Sequence, residues 1–180
     1  MPSPTLLRSD VALLADEASG DLAALWREVD SALAAEEALR DILPSLIEAY
    51  GAAAATVAAD WYDDSRAEAE VRGRFTAIPA DVPDVGAQAL VGWAIGEAQD
   101  FDAFQTLVAG GTQRRIANFS RLTISRSSVA DPGARGWKRV GAGKCGFCQM
   151  LIGRGAVYTQ ETADFQSHDH CNCSPAPAWA

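Results

Sequence analysis

Every cysteine and histidine of the chain falls in one stretch, KCGFCQMLIGRGAVYTQETADFQSHDHCNC, residues 144–173. A tail of about 35 residues buries too little apolar surface to fold alone, so cross-linking by its own soft donors is the expected solution. Cys145-Gly146-Phe147-Cys148 is a CxxC loop, the spacing at which two thiolates can face one metal ion, and Gly146 eases the turn. His168-Asp169-His170-Cys171-Asn172-Cys173 follows at a loop length ordinary for zinc ribbons and knuckles. Zinc asks for a tetrahedral set of S and N donors. Cys145, Cys148, one of the two histidines and Cys171 or Cys173 would supply Cys₃His, with the remaining residues around it. With every position filled by protein, such a site is structural. The competing readings are reduced core cysteines or a disulfide pair. The opening MPSPTLLRSD has neither a basic n-region nor a continuous apolar run, so a reduced compartment and thiolate chemistry are expected. A thioredoxin-like motif is disfavoured, because no βαβ pattern precedes the CxxC.

Upstream of the tail, apolar residues recur at three- and four-residue steps and period-two alternation is missing, so the fold class is mainly α. Leu22, Leu25, Trp26, Val29 and Leu33 make one stripe. A second runs Leu39, Ile42, Leu43, Leu46, Ile47, Tyr50, Ala54, Val57 and Trp61, interrupted by Pro44. Proline removes a backbone donor and clashes one turn back, so the helix is expected to restart near Pro44. RFTAIPADVPD, residues 74–84, carries Pro79 and Pro83 and reads as a linker. Helices are expected at about 85–98 and about 101–127, the second breakable at Gly110-Gly111. Pro132, Gly133 and Gly136 then make a turn before WKRV, which reads as a short strand. No internal repeat is visible. The expectation is a helical body of about five helices over residues 1–130, then a small β-containing, zinc-ribbon- or knuckle-like module with a C-terminal tail over 131–180.

The net charge of −9 is unevenly spread. Residues 1–110 hold six Lys/Arg and 20 Asp/Glu, a net of −14, and residues 111–180 hold nine and four, a net of +5. Such a body discourages a general nucleic-acid binder, while Lys138, Arg139, Lys144 and Arg154 in the tail could meet phosphate or an acidic protein surface. No apolar run approaches the ~18 residues of a membrane span, so no membrane partner is expected. Trp26, Trp61 and Trp93 read as core anchors, and Trp137 as packing over the metal module. Trp179, beyond Pro175 and Pro177, reads as an exposed terminal residue hinting at a partner. Asp60, Asp63 and Asp64 read as a solvated helix end rather than a cation site.

GWKRV, CGFCQMLIGRGAVY and HDHCNC, preceded by an acidic helical region with ADWYDD at 59–64, together resemble the Mu F-like minor head proteins of tailed bacteriophages. The likeness is closest to those of phages infecting actinobacteria. It covers about residues 136–173 specifically and 35–130 more loosely. In that family the tail reads His, two residues, Cys, one residue, Cys. Here the pattern falls on His168, Cys171 and Cys173, leaving His170 as the extra residue. The resemblance implies a minor structural protein, not an enzyme, made with the head genes and assembled in the host cytoplasm. It would sit in the virion at the portal or capsid interior, with the portal or major capsid protein as partner, acting in head morphogenesis or DNA delivery. Weak contact with packaged DNA through the basic tail is a lesser expectation.

Two other classes compete. A zinc-ribbon adaptor or assembly factor absent from the virion would share fold and ligands. A metal-dependent nuclease would need an open coordination position and a base, for which Glu161, Asp164 or Asp169 could be nominated, though none sits at a diagnostic spacing. GxSxG, HExxH and a nucleotide-binding glycine loop are absent from the sequence.

Overall fold

The computed structural model describes residues 2–29, 31–141, 145–159 and 165–180. Among the described residues, five helices and two strands follow in the order α1 (Pro4–Glu28), α2 (Ala32–Glu68), α3 (Ala87–Glu97), α4 (Phe101–Ala130), β1 (Ala134–Val140), α5 (Gly146–Gly153) and β2 (Ser174–Trp179). The chain is thus mainly helical, with a small two-stranded antiparallel sheet at its C-terminal end.

Local chemistry sets the helix starts. Ser3 Oγ accepts from Thr5 N–H with Pro4 in the first turn, Ser31 Oγ accepts from Ala34 N–H, and Asp100 Oδ1 accepts from Ala103 N–H at 2.8 Å. Ser31 also explains why the stripe from Leu22 to Leu33 is not one helix. The chain breaks after Glu28, and Leu33, on α2, is 77% exposed.

Pro44 does not restart a helix, because α2 runs unbroken through it. The missing Pro44 N–H orphans the carbonyl of Arg40, one turn back, and Gln88 of α3 donates its amide N–H to that oxygen at 2.9 Å. A neighbouring helix therefore replaces the lost hydrogen bond. Gly110 and Gly111 likewise leave α4 intact, and both are buried. A Cβ on Gly111 would lie 2.3 Å from Leu90 Cδ1, so small size there admits α3.

One core cluster joins Leu22, Leu39, Leu43, Ile47, Leu90, Val91, Phe104, Val108 and Phe119 across α1 to α4. A second joins Leu7, Val11, Ala54, Ala58, Trp61, Tyr62, Ile116 and Ile124 with Ala176, and takes in Val140 and Trp179 at its margin. The sheet is therefore docked on the helices. Trp179 is not a free terminal residue; it sits in β2 with its ring 5.3 Å from that of Tyr62. Trp26 packs edge-on against Phe101 and Phe104, whereas Trp93 is 44% exposed and anchors no core. Asp63 is more than a solvated helix end, since its Oδ1 accepts the N–H of Ala77 and pins the extended 71–86 segment.

α2 is long and apolar enough to cross a membrane by length and composition, contrary to the expectation from continuous runs. Its alanines raise hydropathy, and its Leu39, Leu43, Ile47, Ala54, Ala55 and Ala58 are buried against neighbouring helices.

Small size is also required at Gly51, where a Cβ would lie 2.5 Å from the ring of Phe119, itself buried. Gly51→Ala is expected to lower stability by about 1–3 kcal/mol, overcoming the ~1 kcal/mol gained in helix propensity. A urea titration with the m-value unchanged would check this, and a stabilised variant would contradict the packing.

Candidate metal centre

The strands pin the ends of an excursion, residues 141–173, that carries all the soft donors. Val140 of β1 pairs with Ser174 of β2, so the chain entering after β1 and the Cys171–Cys173 segment before β2 are held side by side. The pairing is irregular between Ala134 and Trp137, where Gly136 has φ +96°. A Cβ on Gly136 would lie 2.2 Å from the carbonyl oxygen of Tyr158, which accepts the Trp137 N–H at 2.9 Å. That approach brings the far end of the excursion onto β1. Trp137 then stacks on Tyr158, ring centroids 4.1 Å apart, and packs with Cys148, Phe165 and Cys173 in a third core cluster. Trp137 thus packs over the cysteines, as expected of it.

The CxxC lies at the start of α5, with Cys145 as its N-cap residue and Cys148 in its first turn. The free N–H groups of a helix start favour thiolate. Two groups of donors converge among the described residues: Cys145, Cys148 and His168, and Cys148, Cys171 and Cys173. In each, the ligand atoms lie within 4.8 Å of one another, and Cys148 belongs to both. Cys148 Sγ is 3.7 Å from Cys171 Sγ and 3.8 Å from His168 Nε2. Tetrahedral zinc with Zn–S near 2.3 Å places its ligand atoms about 3.6–3.8 Å apart, so both distances fit two donors on one ion. His168 Nδ1 is 2.6 Å from the carbonyl oxygen of Asp169. Donation of Nδ1–H to that oxygen leaves the Nε2 lone pair facing the thiols, the arrangement a metal-bound histidine requires. The donor set fits a structural metal ion, and all four cysteines are free thiols rather than disulfides.

His170, by contrast, belongs to neither group. At φ +58° it turns toward α4, where a Cβ on Gly110 would lie 2.8 Å from its Nε2. Asp169 pairs with Arg114, Oδ1 to Nε 3.1 Å, which places that carboxylate in an ion pair. Glu161, Asp164 and Lys144 lie outside the described residues. Of the tail cations read as phosphate contacts, Arg154 is exposed and Lys138 half-buried, but Arg139 is 2% exposed and faces inward.

Two buried arginines complete the site: Arg121, which sequence reasoning missed, and Arg139, which it read as a surface cation. Arg121 of α4 donates to the carbonyl oxygens of Cys173 (3.1 Å) and Cys171 (2.5 Å), to Asn118 Oδ1 and to Ser167 Oγ. It thereby fixes the backbone that carries two candidate ligands. Arg139 stacks on Phe165, 3.8 Å from the ring centroid, and Arg121 approaches the same ring at 5.3 Å. Buried cations beside a thiolate-rich site offset its negative charge. Burial brings Arg121 down to about 10, opposed by the attraction of Cys171 and Cys173. The available signal was a charge in line with Ala117, Ile124 and Ser128 on the inward face of α4.

The thiols differ sharply without metal. Backbone N–H donation, above all from Cys148, and a contact with His168 bring Cys145 down to about 7. Burial and then the neighbouring Cys173 and Cys171 thiols push Cys148 up to about 12. Cys171 lies below the ordinary thiol value: burial opposes this, but the Cys173 N–H and the Arg121 charge outweigh it. In metal-stripped protein at neutral pH, iodoacetamide is therefore expected to modify Cys145 first and Cys148 last, as peptide mapping would read. Equal rates at the two positions would contradict this geometry.

In comparison with known proteins, the model of one family, described as VG15 protein, matches residues 5–180, nearly the whole chain. No curated protein and no solved structure matches.

Proposed function

The chain belongs to the VG15 protein family, a phage-associated family, and from that premise we propose that it is a minor structural protein of a tailed-phage head. It is of the Mu F-like type, it acts in head morphogenesis at the portal or the capsid interior, and its tail is held by one structural zinc ion. The family match along the whole chain carries the phage assignment, and the resemblance of the tail motifs carries the finer one.

Zinc would be held by Cys145, Cys148, His168 and Cys171, with Cys173 beside Cys148 as a fifth donor in reserve. The Cys148–Cys171 and Cys148–His168 spacings support that set. When bound, zinc supplies cohesion rather than chemistry, because a filled tetrahedral set leaves no position for substrate. The role is accordingly architectural, not catalytic. Helices α1 to α4 give the rigid surface for a portal or major capsid partner, and exposed Arg154 is the tail cation best placed for phosphate.

Quantitative mass spectrometry of purified particles tests the reading by counting this chain against portal and major capsid proteins. A few to a few tens of copies per particle is the expected result. Confinement to the infected-cell lysate would overturn it in favour of an assembly factor outside the virion.

A further inference from the structure

Two helices carry apolar stripes on their outward faces. On α1, Leu6 and Leu13 are 60% and 62% exposed, although the opposite face of the same helix buries Leu7, Val11, Ala15 and Ala18. Asp10 and Glu17 fall between and beyond the two leucines at three- and four-residue steps, so the stripe reads Leu6, Asp10, Leu13, Glu17, all exposed. On α5, Phe147 and Met150 are 46% and 48% exposed while Cys148 and Leu151 point inward. Arg154 continues that stripe four residues after Met150.

The stripes are opposite in charge. α1 holds five acidic and two basic residues, whereas Arg154 is the only charged residue in 145–159. Each pairs two large exposed apolar side chains with charge of one sign, and among the described residues neither is covered by another element. A large apolar side chain held outward on each of two rigid helices, with matched charge beside it, is the composition of a contact face.

We infer that the α5 face of one copy docks on the α1 face of a second copy, Phe147 and Met150 against Leu6 and Leu13, with Arg154 beside Asp10 and Glu17. The two faces are different surfaces of one chain, so the contact is heterologous and head-to-tail. It grows into a ring where the rotation closes and into a chain where it does not. The stripes are short, so the contact is weak and concentration-dependent.

Light scattering coupled to size exclusion, with the full-length protein from about 1 to 100 µM, reads the outcome in the affinity range of a small interface. Wild-type mass is expected to rise above the 19.0 kDa monomer with concentration. Leu6→Glu with Leu13→Glu, and separately Phe147→Glu with Met150→Glu, are each expected to weaken association at least tenfold. Mixed together, these two variants still own one good face each, on different molecules. The mixture is therefore expected to form a one-to-one dimer and to stop there. The charge variants Arg154→Glu and Asp10→Arg with Glu17→Arg perturb folding less, and each should weaken association while their mixture restores it. A wild-type monomer throughout the range would overturn the inference. So would association lost in the α1 variant but kept in the α5 variant, which marks a two-fold α1 contact, or a mixture that fails to pair, which marks these faces as surface for another protein.

Discussion

Cys148→Ala is expected to lose zinc and free the 141–173 excursion while leaving the helices and the sheet in place. Cys148 is the donor common to both groups, it is 2% exposed, and its Sγ faces His168 and Cys171 at single-ion distances. Without it the remaining donors fall into two separate pairs, Cys145 with His168 and Cys171 with Cys173, and no group of three converges among the described residues. A metal bound a thousandfold above its dissociation constant stabilises by about 4 kcal/mol, which for a chain of this size is about 8–16 °C in Tm. The sheet survives because Ala176, Val140 and Trp179 pack into the second core cluster, which needs no metal. Elemental analysis, thermal melting and limited proteolysis read the three parts separately. Zinc retained near one per chain, or an excursion as protease-resistant as the parent's, would sink the assignment. Cys173→Ser should keep zinc, since Cys171 supplies the fourth donor.

The second large effect needs no metal. Arg66 near the end of α2 and Asp131 at the end of α4 form an ion pair, Nε to Oδ2 2.9 Å, with the carboxylate fully buried. Arg66 spends its other donors on the carbonyls of Val71, Arg72 and Gly73, and Tyr62 donates its hydroxyl to Asp131 at 3.2 Å. Burial, with Asp131 alongside, raises Tyr62 well above the ordinary phenol range, so it remains a donor at any working pH. Removing one partner strands a buried charge, so Asp131→Ala is expected to cost about 3–5 kcal/mol. The corresponding Tm loss is about 6–20 °C. Arg66→Ala should cost at least as much, because it also orphans three carbonyls at the turn out of α2. Asp131→Asn should cost less, since an amide oxygen can still accept from Gly133 N–H, now bonded to Oδ1 at 2.8 Å. Circular dichroism melts check the order, and an Asp131→Ala variant within about 2 °C of the parent would contradict the clamp.

Helices α2 to α4 were legible because an amphipathic period survives in the sequence whatever packs on it, whereas eight-residue α5 was read only as a CxxC loop. The Cys/His pattern was legible for the same local reason: CxxC and HxxCxC bring their donors to one side of a turn. Pro44 was misread because its rule is local while its remedy is not. Gln88, from a different helix, supplies the donor that the proline lacks. Trp93 and Leu33 were misread in the opposite direction, since a stripe says which residues share a face but not whether another element covers it.

The sequence alone determined the mainly helical class, the soft-donor composition of the tail and the division of charge along the chain, all of which depend on neighbours within a few residues. Tertiary structure alone decided that Cys148 lies between the two donor groups and that His170 turns away toward α4. It also decided that Arg121 of α4 holds the Cys171–Cys173 backbone and that Trp179 closes against Tyr62. Those are contacts between residues tens of positions apart. Their geometry is set by how helices and sheet share one core, a property of the packed chain that no short window of sequence contains.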